Sequence, residues 1–396
     1  MKGAILVLNA GSSSLKFSLF RATAIPDQAD LLCDGQMSGI GHTVHFRAEG
    51  QSNVVLVDQV LNDGTDHEVA LDVLLKWCAQ KFSDYNLICA GHRVVHGGQR
   101  YIAPTRIDSA VVAELQKLVP LAPLHQPHHL AAIATLFKLY PRLPQIACFD
   151  TSFHHTQPEV ASQFALPRAL HDEGVRRYGF HGLSYEYIAG KLPQVLPAGQ
   201  SRVVVAHLGS GASMCAMQDG KSVATTMGFT ALDGLVMSRR CGNLDPGVVL
   251  YLMQEKKMNA DEVSNLLYQE SGLFGVSGIS DDMQTLQASE DSRAEQAIAL
   301  FVYRINRELG SLVAALGGLD ALVFTAGIGE HSSEIRRRVC EGANWLGLQI
   351  DPGANQSHAT CISRNDSRVS VWVIPTDEDL IIARHAAQLL QLPGHH

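Results

Sequence analysis

The chain has 396 residues, 46% apolar and 18% charged, with a net charge of −8. That length predicts two domains, the composition excludes a disordered chain, and the acidic balance excludes a nucleic-acid surface as the main business. Phosphate chemistry stays open, because it needs only a few local cations.

The N-terminal run from Met1 to Leu8 is broken too soon, by Asn9 and Gly11, for a signal peptide. Ala4 to Leu8 reads as an apolar strand, Asn9 to Ser14 as a Gly/Ser turn, and Leu15 to Phe20 as the return strand of a hairpin. Such turns leave backbone N–H groups and hydroxyls free to hold phosphate. Leu87 to Ala90 is a strand leading into Gly91 to Gly98, which carries Arg93. A helix is predicted from Pro127 to Tyr140, with proline in its first turn. Gln145 to Phe149 is a strand ending on Asp150, and a further helix follows Ser184 as N-cap.

The opening design then returns. Arg202 to Ala206 is a strand, His207 to Ser213 a turn, Met214 to Met217 the return, and Asp219-Gly220 the next hairpin turn. Laying Asn9 on His207 aligns Gly11 with Gly209 and Ser12 with Ser210, which reads as an internal duplication, with chance similarity of two Gly/Ser turns as the alternative. Leu319 to Phe324 is a strand ending at Gly327-Ile328-Gly329-Glu330, after which Ser332 caps a helix. Ser370 to Ile374 is a strand, with Thr376 as N-cap and Asp377 to Asp379 in the first turn of the last helix. The best membrane-span candidate, Leu312 to Gly329, contains Gly317, Gly318 and Asp320, and reads better as helix end, turn and buried strand. Strand, polar turn and helix in alternation predict an α/β chain with its sites at sheet ends. The eight cysteines form no C-x-x-C pair, so reduced thiols and the cytoplasm are expected. His395 and His396 read either as a tag remnant or as native residues.

Several polar clusters stand just after strands: Asn9 to Lys16, Arg93, Asp150, His207 to Gly211, Gly327 to Glu330, and Glu378. His181 and Arg240 stand in Gly-containing loops. Phosphoryl transfer needs cations and N–H donors around the transferred group, and oxygen ligands for Mg²⁺. Bringing an anionic carboxylate against a phosphate adds repulsion, which two arginines and a histidine answer. Taken singly, each residue has a blander reading: Asp150 as a turn cap, His181 as a structural imidazole, Glu378 as a macrodipole partner. A Walker A loop is absent, and Gly209-Ser210-Gly211 lacks the third glycine of a dinucleotide fingerprint. His92 and His96 have H-x-x-x-H spacing, but Arg93 stands where a zinc protease needs its glutamate.

Together the motifs resemble the acetate kinase family. They are Asn9 to Lys16, His92 to Gly98, Pro123 to His125, Phe149 to His154, Tyr178 to Gly182, His207 to Gly209, Asp233 to Met237, Phe324 to Glu330 and Ile374 to Thr376. They span essentially the whole chain in order. The resemblance implies the ribonuclease H-like fold of sugar kinases, heat-shock chaperone ATPases and actin, with two related domains around a nucleotide cleft. The first would hold residues 1–152, completed by a C-terminal helix 384–396, and residues 153–383 would form the nucleotide-binding domain. Implied too are a homodimer and reversible transfer from ATP to acetate, giving acetyl phosphate and ADP. Mg²⁺ would assist, and Mn²⁺ could replace it.

By the same resemblance Asn9 and Glu378 would hold the metal, and Ser12, Ser14 and Lys16 the phosphates. Arg93 would bind the acetate carboxylate, with Val95, Leu124 and Phe180 around the methyl group and His125 nearby. Asp150 would act as acid/base or as metal-organising carboxylate, while His181 and Arg240 stabilise the transition state. The nucleotide would meet His207, Leu208, Gly209, Ser210, Gly211, Asp282, Met283, Gln284, Gly327, Ile328, Gly329, Glu330 and His331. The chain departs from the family pattern at Ser210, Gln284, His331, Ala231 and Asn243, which leaves pyrophosphate open as donor and propionate or another short acid open as acceptor. A reading of another class is an actin-like or chaperone-like ATPase switch, which would not need Arg93.

Overall fold

The computed structural model describes residues 1–62 and 64–392, so His395 and His396 lie outside the described residues. The chain divides into two compact units, Met1–Ser152 with the segment from Asp377 onward, and Phe153–Thr376. The crossover therefore precedes the helix Glu378–Leu389 instead of cutting it near residue 384. A single capped helix moves as one body, and this one packs on the first unit's sheet.

In the first unit, β1 (Lys2–Ala10), β2 (Ser14–Arg21), β3 (Leu31–Ser38), β4 (His45–Gly50), β5 (Val55–Val60), β6 (Tyr85–Val94), β7 (Thr105–Arg106) and β8 (Gln145–Phe149) make one sheet. Its order is β5-β4-β3-β2-β1-β6-β8-β7. The strand β1 pairs antiparallel with β2 and parallel with β6, and β6 pairs parallel with β8. Ala4 to Leu8 are all buried, as a central strand covered on both faces requires. Ala4, Leu6 and Leu8 join Phe17, Phe46, Leu71 and Leu74 in one core. Alternation turns Ile5 and Val7 to the other face. There the helix Glu378–Leu389 lies on β1 and β6. A Cβ on Gly91 would come 2.4 Å from Ile382 Cγ2, so glycine sets that close approach.

In the second unit, β9 (Arg202–Leu208), β10 (Ala212–Gln218), β11 (Lys221–Thr225), β12 (Ala321–Thr325) and β13 (Ser370–Val373) form a sheet in the order β11-β10-β9-β12-β13. The hairpin β9–β10 is antiparallel, and β12 is parallel to both β9 and β13. This repeats the order and directions of β3-β2-β1-β6-β8 and supports the duplication read from the two Gly/Ser turns. The helix Ser292–Leu316 buries Ala294, Ala297, Ile298, Phe301, Ile305, Leu309, Leu312 and Val313, an i, i+3, i+4 stripe, against this sheet. It ends at Gly317 in the left-handed region, ahead of the buried strand β12. Among the described residues no helix is long and apolar enough to cross a membrane. The eight cysteines are not in disulfides among the described residues, and Cys33, Cys89, Cys148, Cys215 and Cys340 are buried.

Local departures from the sequence reading have physical causes. The helix Gly182–Val195 starts after His181, whose φ is 58°, so Ser184 is not its cap. Asp377, not Thr376, caps the last helix, by accepting from Leu380 N–H. Gly327 to Glu330 belong to a short helix, Ala326–His331, rather than a loop. Arg93 lies inside β6 and His207 inside β9, because both strands continue past their apolar runs.

Candidate active site

Each unit gathers polar groups at the C-terminal edge of its parallel strands, where open α/β sheets bind ligands. In the first unit Leu8 pairs with His92 and Val94 with Phe149, so Asn9, Arg93 and Asp150 lie near the C-terminal ends of three neighbouring strands, Asp150 just past β8. Asp150 is buried and takes Arg93 side-on, with Nε 3.0 Å from Oδ1 and Nη2 2.7 Å from Oδ2. Arg93 Nη1 lies 3.4 Å from Glu378 Oε2. Burial works against the Arg93 charge, but Asp150 and Glu378 outweigh it and hold the guanidinium protonated. Ser12 and Lys16 are exposed and Ser14 half-buried on the hairpin whose Gly11 N–H donates to Ser14 O at 2.7 Å. Val95 is buried, Leu124 is exposed, and His125 stands at the start of the helix Gln126–Leu139.

Behind this edge sits a set of buried imidazoles. His129 Nδ1 accepts from Val95 N–H at 3.1 Å, and His96 Nδ1 accepts from Gly98 N–H at 2.9 Å. Burial lowers His92 and His96 to about 4, so they are neutral scaffold at pH 7. Among the described residues no group of three or more His, Cys, Asp or Glu side chains is placed to hold a metal ion by itself.

In the second unit His181 Nδ1 lies 2.8 Å from Ser213 Oγ, and the Tyr185 hydroxyl lies 2.5 Å from the same oxygen. The His181 ring stacks on His207 at 4.2 Å, and Ser184 Oγ lies 2.8 Å from His207 Nδ1. A Cβ on Gly211 would sit 3.2 Å from His181 Nε2 and 3.9 Å from Arg240 Nη1, so this glycine leaves a gap that both cationic-type groups face. Arg240 Nη1 donates to Ala231 O at 3.1 Å, a carbonyl that a proline at that position would also offer. Phe180, buried, accepts at its carbonyl from the His154 ring at 2.9 Å.

A cavity of about 340 Å³ in the second unit is lined by Gly209, Ser210, Asp282, Met283, Gln284, Gly327, Ile328 and His331. Sequence reasoning missed its other walls, Ser238, Asp281, Gln287 and Ser332. It also missed Tyr185, Ser213 and Arg336. Ser213 ends the repeated turn, which was a usable signal; the other two carried none. Several expected nucleotide residues have structural duties. Leu208 and Gly329 are buried. Glu330 accepts from Ala326 N–H at 2.7 Å and Thr376 N–H at 3.2 Å. Asp282 caps the helix Met283–Gln287, and the Thr285 hydroxyl and N–H hold its carboxyl below the usual range.

Two Gly/Ser phosphate-type turns on related sheets, an arginine locked on a buried carboxylate, and a histidine and arginine facing a glycine gap define an α/β phosphotransferase. A family model described as the acetokinase family matches residues 4–384. An acetate kinase of Rhodopseudomonas palustris is 61% identical over 395 residues, 98% of this chain and 99% of that one. Crystal structures of a propionate kinase from Francisella tularensis and an acetate kinase from Porphyromonas gingivalis match with TM-scores of 0.90 and 0.87, at 34% and 33% identity. The first match covers 97% of this chain and 98% of the other, the second 98% and 100%. The chain belongs to the acetokinase family, kinases that phosphorylate acetate at the expense of ATP.

Proposed function

We propose that this chain runs reversible, in-line phosphoryl transfer between ATP and acetate, with the acid held in the first unit and the nucleotide in the second. The Arg93–Asp150 pair carries this reading. An acetate carboxylate is already ionised at pH 7 and has no proton to surrender, so the site needs a cation to position it rather than a base. Asp150, with both oxygens on Arg93, supplies orientation. Val95 and Leu124 supply apolar surface for the methyl group, with His125 close in sequence to Leu124, and Phe180 is the apolar candidate of the second unit. The transferred group carries charge on three oxygens, which the donors His181 and Arg240 suit by their chemistry, and the hydroxyls and ammonium of Ser12, Ser14 and Lys16 suit phosphate.

The adenosine side is the 340 Å³ cavity, with Asp282, Met283, Gln284, Gly327, Ile328 and His331 on its walls and the turn His207 to Gly211 presenting backbone to phosphate. Leu208, Gly329 and Glu330 act there through the backbone they hold in place. The donor set for a divalent ion fits Mg²⁺, since Asn9 and Glu378 offer hard amide and carboxylate oxygens beside the end of β1. When bound, the ion would neutralise phosphate charge; Mn²⁺ accepts the same ligands. Free buried cysteines support a reducing, cytoplasmic setting.

A homodimer is supported by the helix Pro246–Gln254, none of whose residues is buried and which exposes Val248, Leu250, Tyr251 and Met253. Propionate is the second acceptor to weigh, since one methylene in an apolar pocket is worth only about 1–3 kcal/mol. Trapping the acyl phosphate as a hydroxamate tests the reading. Acetate with ATP should give the largest kcat/KM; a clear propionate preference, or turnover only with pyrophosphate, would replace the acceptor or the donor. An ATPase switch would hydrolyse ATP and yield no hydroxamate with any acid.

A further inference from the structure

We propose that Tyr185 and Ser213 form a directed hydrogen-bond relay that fixes His181 as the neutral Nε2–H tautomer, making it a donor to the transferred phosphoryl group rather than a second cation. The inference rests on the reading of His181 as a phosphoryl-facing residue. Tyr185 and Ser213 are positioning residues for it.

The direction of the relay follows from hydrogen counting. Tyr185 and Ser213 are both fully buried. Among the described residues, the partner of the Tyr185 hydroxyl is Ser213 Oγ, and the partners of Ser213 Oγ are Tyr185 and His181 Nδ1. If the phenol accepted, its own proton would be buried without an acceptor, which costs the desolvation of that donor. The phenol therefore donates. Ser213 then has one proton left, and the same penalty applies unless it goes to His181 Nδ1. A ring nitrogen that accepts is unprotonated, so the imidazole proton sits on Nε2.

Three further features agree. Nε2 is the atom turned to the gap that Gly211 leaves beside Arg240. His181 keeps a left-handed backbone, φ 58°, a conformation that costs a non-glycine residue and persists only where the surroundings impose it. Its ring lies 4.2 Å above His207 with planes 16° apart, a face-to-face stack that disfavours two imidazolium charges. The titratable and charged groups around the relay are His207 on β9, Cys215 on β10, Arg240 in its loop, and His154 edge-on to the Tyr185 ring. With Arg240 already supplying charge, a neutral donor avoids a second desolvated cation and serves both directions of the reaction without a proton change.

The test is ¹⁵N-histidine NMR on the full-length enzyme, with the His181 signal assigned by its loss in His181→Asn, alongside steady-state kinetics. The expected wild-type signature at pH 7.5 is an unprotonated Nδ1 and protonated Nε2. Tyr185→Phe and Ser213→Ala should abolish that signature and lower kcat about tenfold or more, with KM for acetate and ATP changed less than about threefold. Ser213→Thr should restore both. An Nδ1–H or imidazolium signature in the wild type overturns the relay, as does an unaltered signature in both variants. If Tyr185→Phe fails to fold, the Ser213→Ala and Ser213→Thr pair decides alone. A His181→Ala enzyme with undiminished kcat would instead overturn the phosphoryl-facing role itself, whatever the tautomer.

Discussion

Asp150 clasps Arg93 through two guanidinium nitrogens, 3.0 and 2.7 Å from its two oxygens, and leaves Nη1 turned to Glu378. On the proposed function, the pair would act as a carboxylate receptor oriented by Asp150.

Replacing Arg93 by alanine is expected to raise the acetate KM and slow turnover, lowering kcat/KM about 10- to 100-fold or more. It also strands a buried Asp150, so the melting temperature should fall with it. Arg93→Lys should recover stability better than KM, because a point charge cannot reproduce the side-on contact. Initial rates across acetate concentrations check this, and an unchanged KM in Arg93→Ala would remove the residue from acid binding.

Arg240→Ala is expected to cut kcat by roughly 10³-fold, as other arginines that meet transition-state charge do. KM values should move little. A loss below about tenfold would reassign Arg240 to holding the Ala231 carbonyl and its loop.

Arg336 has no exposed surface and, among the described residues, no carboxylate partner. It donates to the carbonyls of Gly329 and Glu330 at 2.9 and 2.7 Å and to the Asn355 side chain at 2.8 Å. The helix it holds, Ala326–His331, is too short to stand alone and starts with Ala326 at φ 64°. Arg336→Met should lower stability by about 3 kcal/mol and raise KM for ATP more than KM for acetate. Urea titration with two-substrate kinetics measures both, and equal effects on the two KM values would count against a role in the nucleotide cavity.

Stability should fall as the solution is acidified from pH 7 to pH 5. His92, His96 and His154 are lowered to about 4 by burial, below the ordinary value near 6.5. Their contribution is full above the unfolded pKa and is lost as pH falls toward the folded one, about 2 kcal/mol each by pH 5. Asp379 acts in the opposite sense, because burial raises its carboxyl to about 6. Its neutralisation offsets about 1 kcal/mol over the same interval. Unfolding free energies from urea titrations at both pH values check the sign; a higher value at pH 5 would contradict neutral buried imidazoles.

Charge placed on the helix Pro246–Gln254 should prevent self-association. Leu250→Asp with Tyr251→Asp is expected to give monomers by sedimentation velocity, where the parent chain gives dimers. A parent chain that sediments as a monomer would remove the dimer.

The strands β1, β2, β6, β8, β9, β10, β12 and β13 were legible as apolar runs closed by a polar or small-residue turn, and β8 coincides with the predicted Gln145 to Phe149, whereas β3, β4, β5, β7 and β11 were not read. Arg93, Asp150, Gly209 and Gly327 were legible as polar or glycine residues beside such runs. What escaped were side chains with contacts far along the chain. Ser184 looks like an N-cap, but its hydroxyl meets His207, 23 positions on. Tyr185 sits in an amphipathic helix and looks like core, since nothing local says that Ser213 will face its hydroxyl. Arg336 reads as one of three consecutive surface arginines, and only the fold sends it inward while Arg337 and Arg338 pair with glutamates.

The first unit closes its sheet with a helix from the far end of the chain. Ile382 fills the space left by Gly91, and Glu378 reaches Arg93. During synthesis the ribosome delivers that helix after all of the second unit. A nascent chain holding only Met1 to Ser152 lacks cover for Ile5 and Val7 and lacks the second carboxylate beside Arg93. The cover of β1 and β6 is therefore made only after the whole of the second unit's segment, and a frameshift between Thr376 and Glu378 would remove that cover, and the carboxylate beside Arg93, while leaving the second unit's segment intact.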